Sequence, residues 1–183
     1  MKKLISLLLC AALLLSACAA LAEEKNDLVT ININGAFSLK GNLPEGYKFS
    51  IVEQDTLHMI GWIASEDLTK PVLQLSIAYD ESYYGVEKMN DLSEEELALI
   101  EEGFRKDSDV SIEYTETSLG TKLIKVTEIG NDPDYVDFYS IYLGHSIDLV
   151  LVAGPEAEDP ALTQDQVDMC VRFLSDLDFV PAE

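Results

Sequence analysis

Between residues 109 and 153 the chain reads as four strands in succession, about 109–116, 121–129, 135–143 and 146–153, each bounded by turn residues. Connections this short can only join antiparallel neighbours, because a parallel crossover needs a dozen residues or more. The segment therefore dictates an antiparallel meander. Its last pair carries Gly144-His145 between two apolar-alternating runs, the glycine-first pattern of a two-residue II′ turn. That turn would set Tyr142 against Ile147, Ser140 against Leu149 and Phe138 against Leu151, all on one face.

The rest of the chain supplies partners for this meander. Val29, Ile31 and Ile33 alternate before Asn34-Gly35, and Phe37 and Leu39 follow. Their apolar faces match in a hairpin only if the loop holds an odd number of residues, such as Asn34 to Ala36. Strands are expected near 48–53 and 57–64, and Leu73, Leu75, Ile77 and Tyr79 alternate with Gln74, Ser76 and Ala78 as a half-buried strand. Residues 80–91 read as a loop. Two helices announce themselves with the same grammar. Ser93 and Glu96 form a capping box inside a Leu92–Leu97 staple, and Leu97, Ile100 and Phe104 share a stripe that ends near Lys106. Thr163 and Gln166 repeat the box inside Leu162–Val167, with Val167, Cys170, Val171, Leu174 and Leu177 as the buried stripe. The expected fold class is α+β: an antiparallel sheet, built from the N-terminal hairpin and strands plus the four-stranded meander, packed with two α-helices.

The N-terminus has a different character. Lys2 and Lys3 precede an apolar run from Leu4 to Leu15, then small residues to Ala22, then Glu23 and Glu24. This is the order of a bacterial export signal, and the run is too short for the roughly 20 residues that a membrane-spanning helix needs. Two processing routes compete. Leu15-Ser16-Ala17-Cys18 resembles the lipobox of bacterial lipoproteins, which would leave an acylated Cys18. Ala20-Leu21-Ala22 offers a second cleavage site that would release a soluble protein. The lipobox falls where the apolar run ends, which favours the lipid route. The expected organisation is a signal over 1–22, a short linker over 23–27 and one domain over 28–183.

The signal carries two lysines and no acid, so its removal takes the net charge from −22 to −24. A surface this acidic repels phosphate backbones and anionic headgroups, which excludes nucleic acid as a partner and leaves a lipid anchor as the expected route to a membrane. Outside the signal region, Cys170 is the sole cysteine, so no intramolecular disulfide is expected.

The order of elements, together with Leu43-Pro44-Glu45-Gly46-Tyr47 near the start and Ser175, Leu177 and Phe179 near the end, resembles the PsbP-like α/β-sandwich family over about residues 36–180. The resemblance implies a domain that docks to other proteins or small ligands rather than a catalyst. It carries no binding residue onto this chain.

Candidate sites are few. A hydrolytic triad would have to use His58 or His145, and no Gly-x-Ser-x-Gly elbow accompanies them. His145 is expected at a hairpin tip, His58 on a strand, and Cys170 on a packed helical stripe. Asp132, Asp134 and Asp137 gather oxygen ligands that could hold Ca²⁺, although Asn131-Asp132-Pro133-Asp134 is also ordinary turn chemistry. Tyr79, Tyr83 and Tyr84 stand at the end of a strand and in the loop after it, where exposed aromatics can grip a partner or pin the loop. The expectation is an exported binding or accessory protein of the cell envelope, without cofactor, whose partner is a protein or small ligand of unknown identity. The rival classes are an extracytoplasmic enzyme built on either histidine and a purely structural envelope protein.

Overall fold

In the computed structural model, the described residues are 27–31, 37–106, 109–129 and 133–181. Residues 1–26, which hold the expected export signal and Cys18, residues 32–36 and Asp132 lie outside them. The strands are β1 (Asp27–Ile31), β2 (Phe37–Lys40), β3 (Tyr47–Gln54), β4 (His58–Ser65), β5 (Val72–Tyr79), β6 (Val110–Glu116), β7 (Lys122–Glu128), β8 (Tyr135–Tyr142), β9 (His145–Val152) and β10 (Asp178–Pro181). The helices are α1 (Glu94–Arg105) and α2 (Gln164–Asp176), and two short 3₁₀ turns, Glu81–Tyr83 and Met89–Asp91, break the segment expected to be plain loop. The chain is α+β and its sheets are antiparallel.

The strands divide differently from the expectation. Seven form one sheet in the order β3-β4-β5-β9-β8-β7-β6, so the run β6 to β9 is one flank of a larger sheet joined through β5–β9. The N-terminal hairpin is not part of it. It forms a second sheet, β1-β2-β10, with the last strand of the chain. The sequence hid this because β10 is only Asp178-Phe179-Val180-Pro181, and four residues are too few for a pattern. Ile31 pairs with Phe37, which leaves the odd loop count that facing apolar sides require, with the register two residues from the one centred on Asn34 to Ala36.

The β8–β9 hairpin also differs. Its turn is Leu143-Gly144, with φ of 47° and 74°, and Tyr142 pairs with His145. Positive φ at both positions is the I′ turn, whose twist suits a hairpin. The partners move by two residues, so Phe138 faces Leu149 and Ser140 faces Ile147, while every side chain keeps its expected face. A leucine in the left-handed region costs roughly 1–2 kcal/mol. Leu143 offsets this by packing against the core, and its N–H donates to the Glu87 carbonyl at 2.8 Å.

The large sheet is covered unequally. On its first face α2 buries Val167, Cys170, Phe173 and Leu174, and the small sheet adds Phe37, Leu39 and Phe179, against Leu75, Ile77, Phe138 and Leu149. Phe37 meets the Tyr142 ring edge-on at 5.2 Å, and Phe179 stacks on it at 5.4 Å. On the second face a smaller cluster of Met89, Leu92, Val110, Ile124, Val126, Tyr139 and Ile141 lies under α1, none of whose own residues is fully buried. Both helices start as their capping boxes dictate. Glu96 N–H donates to Ser93 Oγ at 3.3 Å while Ser93 N–H donates to Glu96 Oε2 at 2.8 Å, and Thr163 and Gln166 repeat the exchange.

Candidate functional site

The second face of the large sheet is where polar and incompletely covered groups collect. Here α1 overlies β6–β8 and leaves the β4–β5–β9 side open, with Trp62 45% exposed, Gln74 exposed and Ser76 half-buried. Three contacts hold α1 down. Phe104 meets Tyr139 edge-on at 5.6 Å, Tyr114 donates from its hydroxyl to Glu101 at 2.6 Å, and Leu97 and Ile100 are half-buried against the cluster below. The hydroxyl of Tyr114 is pushed up to about 12, first by burial and then by the Glu101 carboxylate it bonds.

Between α1 and the segment 82–92 lies a groove of about 300 Å³, lined by Ser82, Tyr83, Val86, Leu92, Glu96, Leu99 and Ile100. Leu99 is 67% exposed and Tyr84, beside the groove in sequence, is 84% exposed. The segment is fixed at its start by Asp80, whose carboxylate accepts from the amide and hydroxyl of Ser82. Further along, Gly144 N–H donates to the Val86 carbonyl at 3.0 Å.

The three tyrosines do not form one cluster. Tyr79 packs on the first face, 5.5 Å edge-on from His145. Tyr83 turns to the second face, within 3.1 Å of the Tyr139 hydroxyl, which donates to it. Tyr84 projects into solvent. Sequence proximity concealed that the chain crosses from one face of the sheet to the other within these six residues.

Two carboxylates sit in the middle of the same second face. Asp148 on β9 lies opposite Ser76 on β5 and Tyr139 on β8, and Asp137 on β8 lies opposite Val150 and Val126. They are diagonal neighbours, a placement that sets Cα atoms roughly 7–8 Å apart in such a ladder. Burial pushes Asp148 up to about 6. Asp137 is pushed up to about 7, first by burial and then by the Asp148 charge, against which the Phe138 N–H is only a partial offset. One oxygen of Asp137 is buried with no hydrogen-bond partner. Asp148 escaped sequence reasoning altogether. The available signal was an acid at an alternating position of a strand flanked on both sides by other strands.

The remaining candidates fall into plainer roles. His145 is not a turn residue: it is fully buried as the first residue of β9, its Nδ1–H donating to the Leu143 carbonyl at 2.8 Å, and its Nε2 has no partner. Its neighbours are the rings of Phe37 and Tyr79, and a carbonyl stands where a triad would need a carboxylate. His58 lies 3.4 Å from Asp55, but that carboxylate accepts from Leu57 N–H and His58 N–H at 2.7 and 2.8 Å, which is the bonding of a tight turn. Burial pushes the Cys170 thiol up to about 12, so it packs rather than reacts. Asp134 is exposed just before β8, and Asp137 faces the sheet surface within it. Among the described residues no three His, Cys, Asp or Glu side chains converge as a metal site. No described helix is long and apolar enough to cross a membrane. No family model, curated protein or solved structure matches the chain.

Proposed function

We propose that this chain is an exported, non-catalytic binding or accessory protein of a bacterial cell envelope, and that it meets its partner on the second face of the large sheet, where α1 and the 82–92 segment leave an apolar groove. The observation that carries this reading is the contrast between the two faces. The first is covered by α2 and the small sheet, whereas on the second Leu99 stands exposed at an open groove, with Tyr84, also exposed, next in sequence to the lining residue Tyr83. Apolar side chains exposed around a concavity mark interaction sites more often than they serve stability. The PsbP-like resemblance supports the same class of function.

Affinity capture from envelope fractions tests the reading. The wild-type domain should retain a partner that Tyr83→Ala and Tyr84→Ala lose. Retention by both variants would move the site elsewhere. Because Tyr84 makes no core contact, its replacement is the cleaner of the two.

The export signal further supports tethering through Cys18. Intact-mass measurement of the mature N-terminus should find an acylated Cys18, and Cys18→Ala should then release the protein from membranes. A free Glu23 in the wild type would instead establish the soluble route.

One observation favours an extracytoplasmic enzyme as the second reading. A carboxyl that titrates near neutral pH, beside another, is suited to general acid–base exchange. The two readings part on Asp137→Asn, which abolishes turnover in an enzyme and leaves partner capture intact in a binding module.

A further inference from the structure

The groove beside α1 combines a mostly apolar lining with walls drawn from an acid-rich stretch of chain. Of the 23 residues from 80 to 102, nine are acids and one, Lys88, is basic. Glu81 and Glu87 on one side, and Glu94 and Glu95 on the other, are exposed. The cation that closes the helix, Arg105, is already paired with Glu101 at 2.7 Å. The lining is mostly apolar, with Val86, Leu92, Leu99, Ile100 and the Tyr83 ring, and Ser82 and the carboxylate-bearing Glu96 are its polar members. A volume of about 300 Å³ is at the lower limit of small-ligand pockets, enough for one or two bulky side chains and too little for a folded surface.

From this pairing of a mostly apolar groove, with Glu96 in its lining, and the acid-rich segments that form its walls, we infer that the groove takes a bulky apolar side chain presented by a cationic peptide segment of a partner protein. The inference rests on the binding-module reading and adds the chemistry of the partner. The apolar side chain fills the space between Val86 and Leu99, and lysine or arginine residues on either side of it meet the exposed glutamates. Electrostatic complementarity of this kind sets partner choice and association rate more than affinity. It also disfavours the competing occupants. A second copy of this chain brings the same strongly negative charge, −22 over the full sequence, to the contact, and anionic lipid or nucleic acid is repelled by the acid-rich walls.

The test uses synthetic peptides of equal length as probes against the mature protein, read by calorimetry and by amide NMR shifts. A lysine–leucine peptide should bind and shift Ser82, Val86, Leu99 and Ile100, and its affinity should fall about tenfold with Leu99→Ser. Raising salt to about 0.5 M should weaken it as strongly, since charges on the walls are screened within a few ångströms there. A glutamate–leucine peptide should not bind, and an all-lysine peptide should bind without shifting the groove. Leu99 is mostly exposed, so the variant keeps its fold, which a circular dichroism spectrum verifies. Binding that ignores Leu99→Ser, or shifts spread over the acidic surface away from the groove, overturns the inference. If a serine–leucine peptide fills the groove equally well, the cationic preference falls while the groove remains a binding site. If an envelope partner is captured and neither Tyr83→Ala nor Tyr84→Ala releases it, the binding-module reading itself has lost its site.

Discussion

Asp137→Asn should make this protein more stable, and more so as the pH rises. The carboxyl is raised from 3.8 to about 7 in the folded state by burial and by Asp148. A raised acid binds its proton in the native state while the unfolded chain has already lost it. Stability therefore falls as pH climbs from about 4 to about 7 and is level above that. At about 1.4 kcal/mol per pH unit, the full displacement corresponds to about 4 kcal/mol, an upper figure because relaxation and water penetration soften buried charges. An amide keeps the shape and the acceptor for Phe138 N–H but carries no charge to desolvate. Urea unfolding followed by circular dichroism at pH 5 and pH 8 should show the variant gaining roughly 2–3 kcal/mol more at the higher value. Lower pH is avoided because the sequence isoelectric point is about 4.1 and a protein near zero charge precipitates. An equal gain at both pH values would mean that packing, not ionisation, separates the two proteins. No gain at pH 8 would mean that the Asp137 carboxylate is solvated, and the acid pair would lose its standing as a strained feature.

Two further changes test the packing. Ser93→Ala removes the acceptor for Glu96 N–H and should cost about 1 kcal/mol. Because α1 has no fully buried residue, the loss should appear as about fivefold faster hydrogen exchange across α1 with little change in global melting, whereas Thr163→Ala should lower the melting temperature itself. An equal global loss from both would mean that α1 unfolds only with the whole domain. Gly154→Ala sets a Cβ 2.4 Å from the carbonyl oxygens of Leu68 and Lys70, so the backbone must shift. The cost should exceed about 2 kcal/mol, seen as a melting temperature at least about 4 °C lower, and a neutral result would deny the close approach.

How far the fold can be read from the sequence depends on whether the deciding signal is local. The seven strands of the large sheet and both helices lie within one or two residues of their alternation and capping signals, because period-two burial and Ser/Thr boxes act within a few residues. Turn chemistry was misleading at Leu143-Gly144. Glycine is tolerated at either central position of a primed turn, and the tie was broken by β8–β9 pairing over eight residues and by the core contact of Leu143. The partnership of β2 with β10 joins residues about 140 apart and leaves no local trace. The same holds for the site. The groove became visible only once Val86 and Leu99, unremarkable on their own, were brought to one lining, and Asp148 gained meaning only beside Asp137.

The two faces of the sheet answer to different demands. Phe37, Phe138, Leu75 and Leu149 on the first face are 0–1% exposed, and a side chain fully buried in this way contributes roughly 1.5–3 kcal/mol. Stability is thus concentrated where α2 and the small sheet close over β5, β9 and β8. On the second face the same central strands carry Asp148 and Asp137, an arrangement that lowers stability at neutral pH and that apolar residues would remove. The helix above them is held by a ring contact, one tyrosine hydroxyl and a half-buried stripe, and beside it lies a groove that its own side chains do not fill. A sheet anchored on one side can carry an unoptimised second side without unfolding, and such low-stability elements are the ones that rearrange when a ligand binds. The acid pair and the groove meet through Tyr139, which bonds Tyr83 at the groove and lies across from Asp148. A partner that fills the groove therefore bears on the tyrosine pair first and on the carboxylates second.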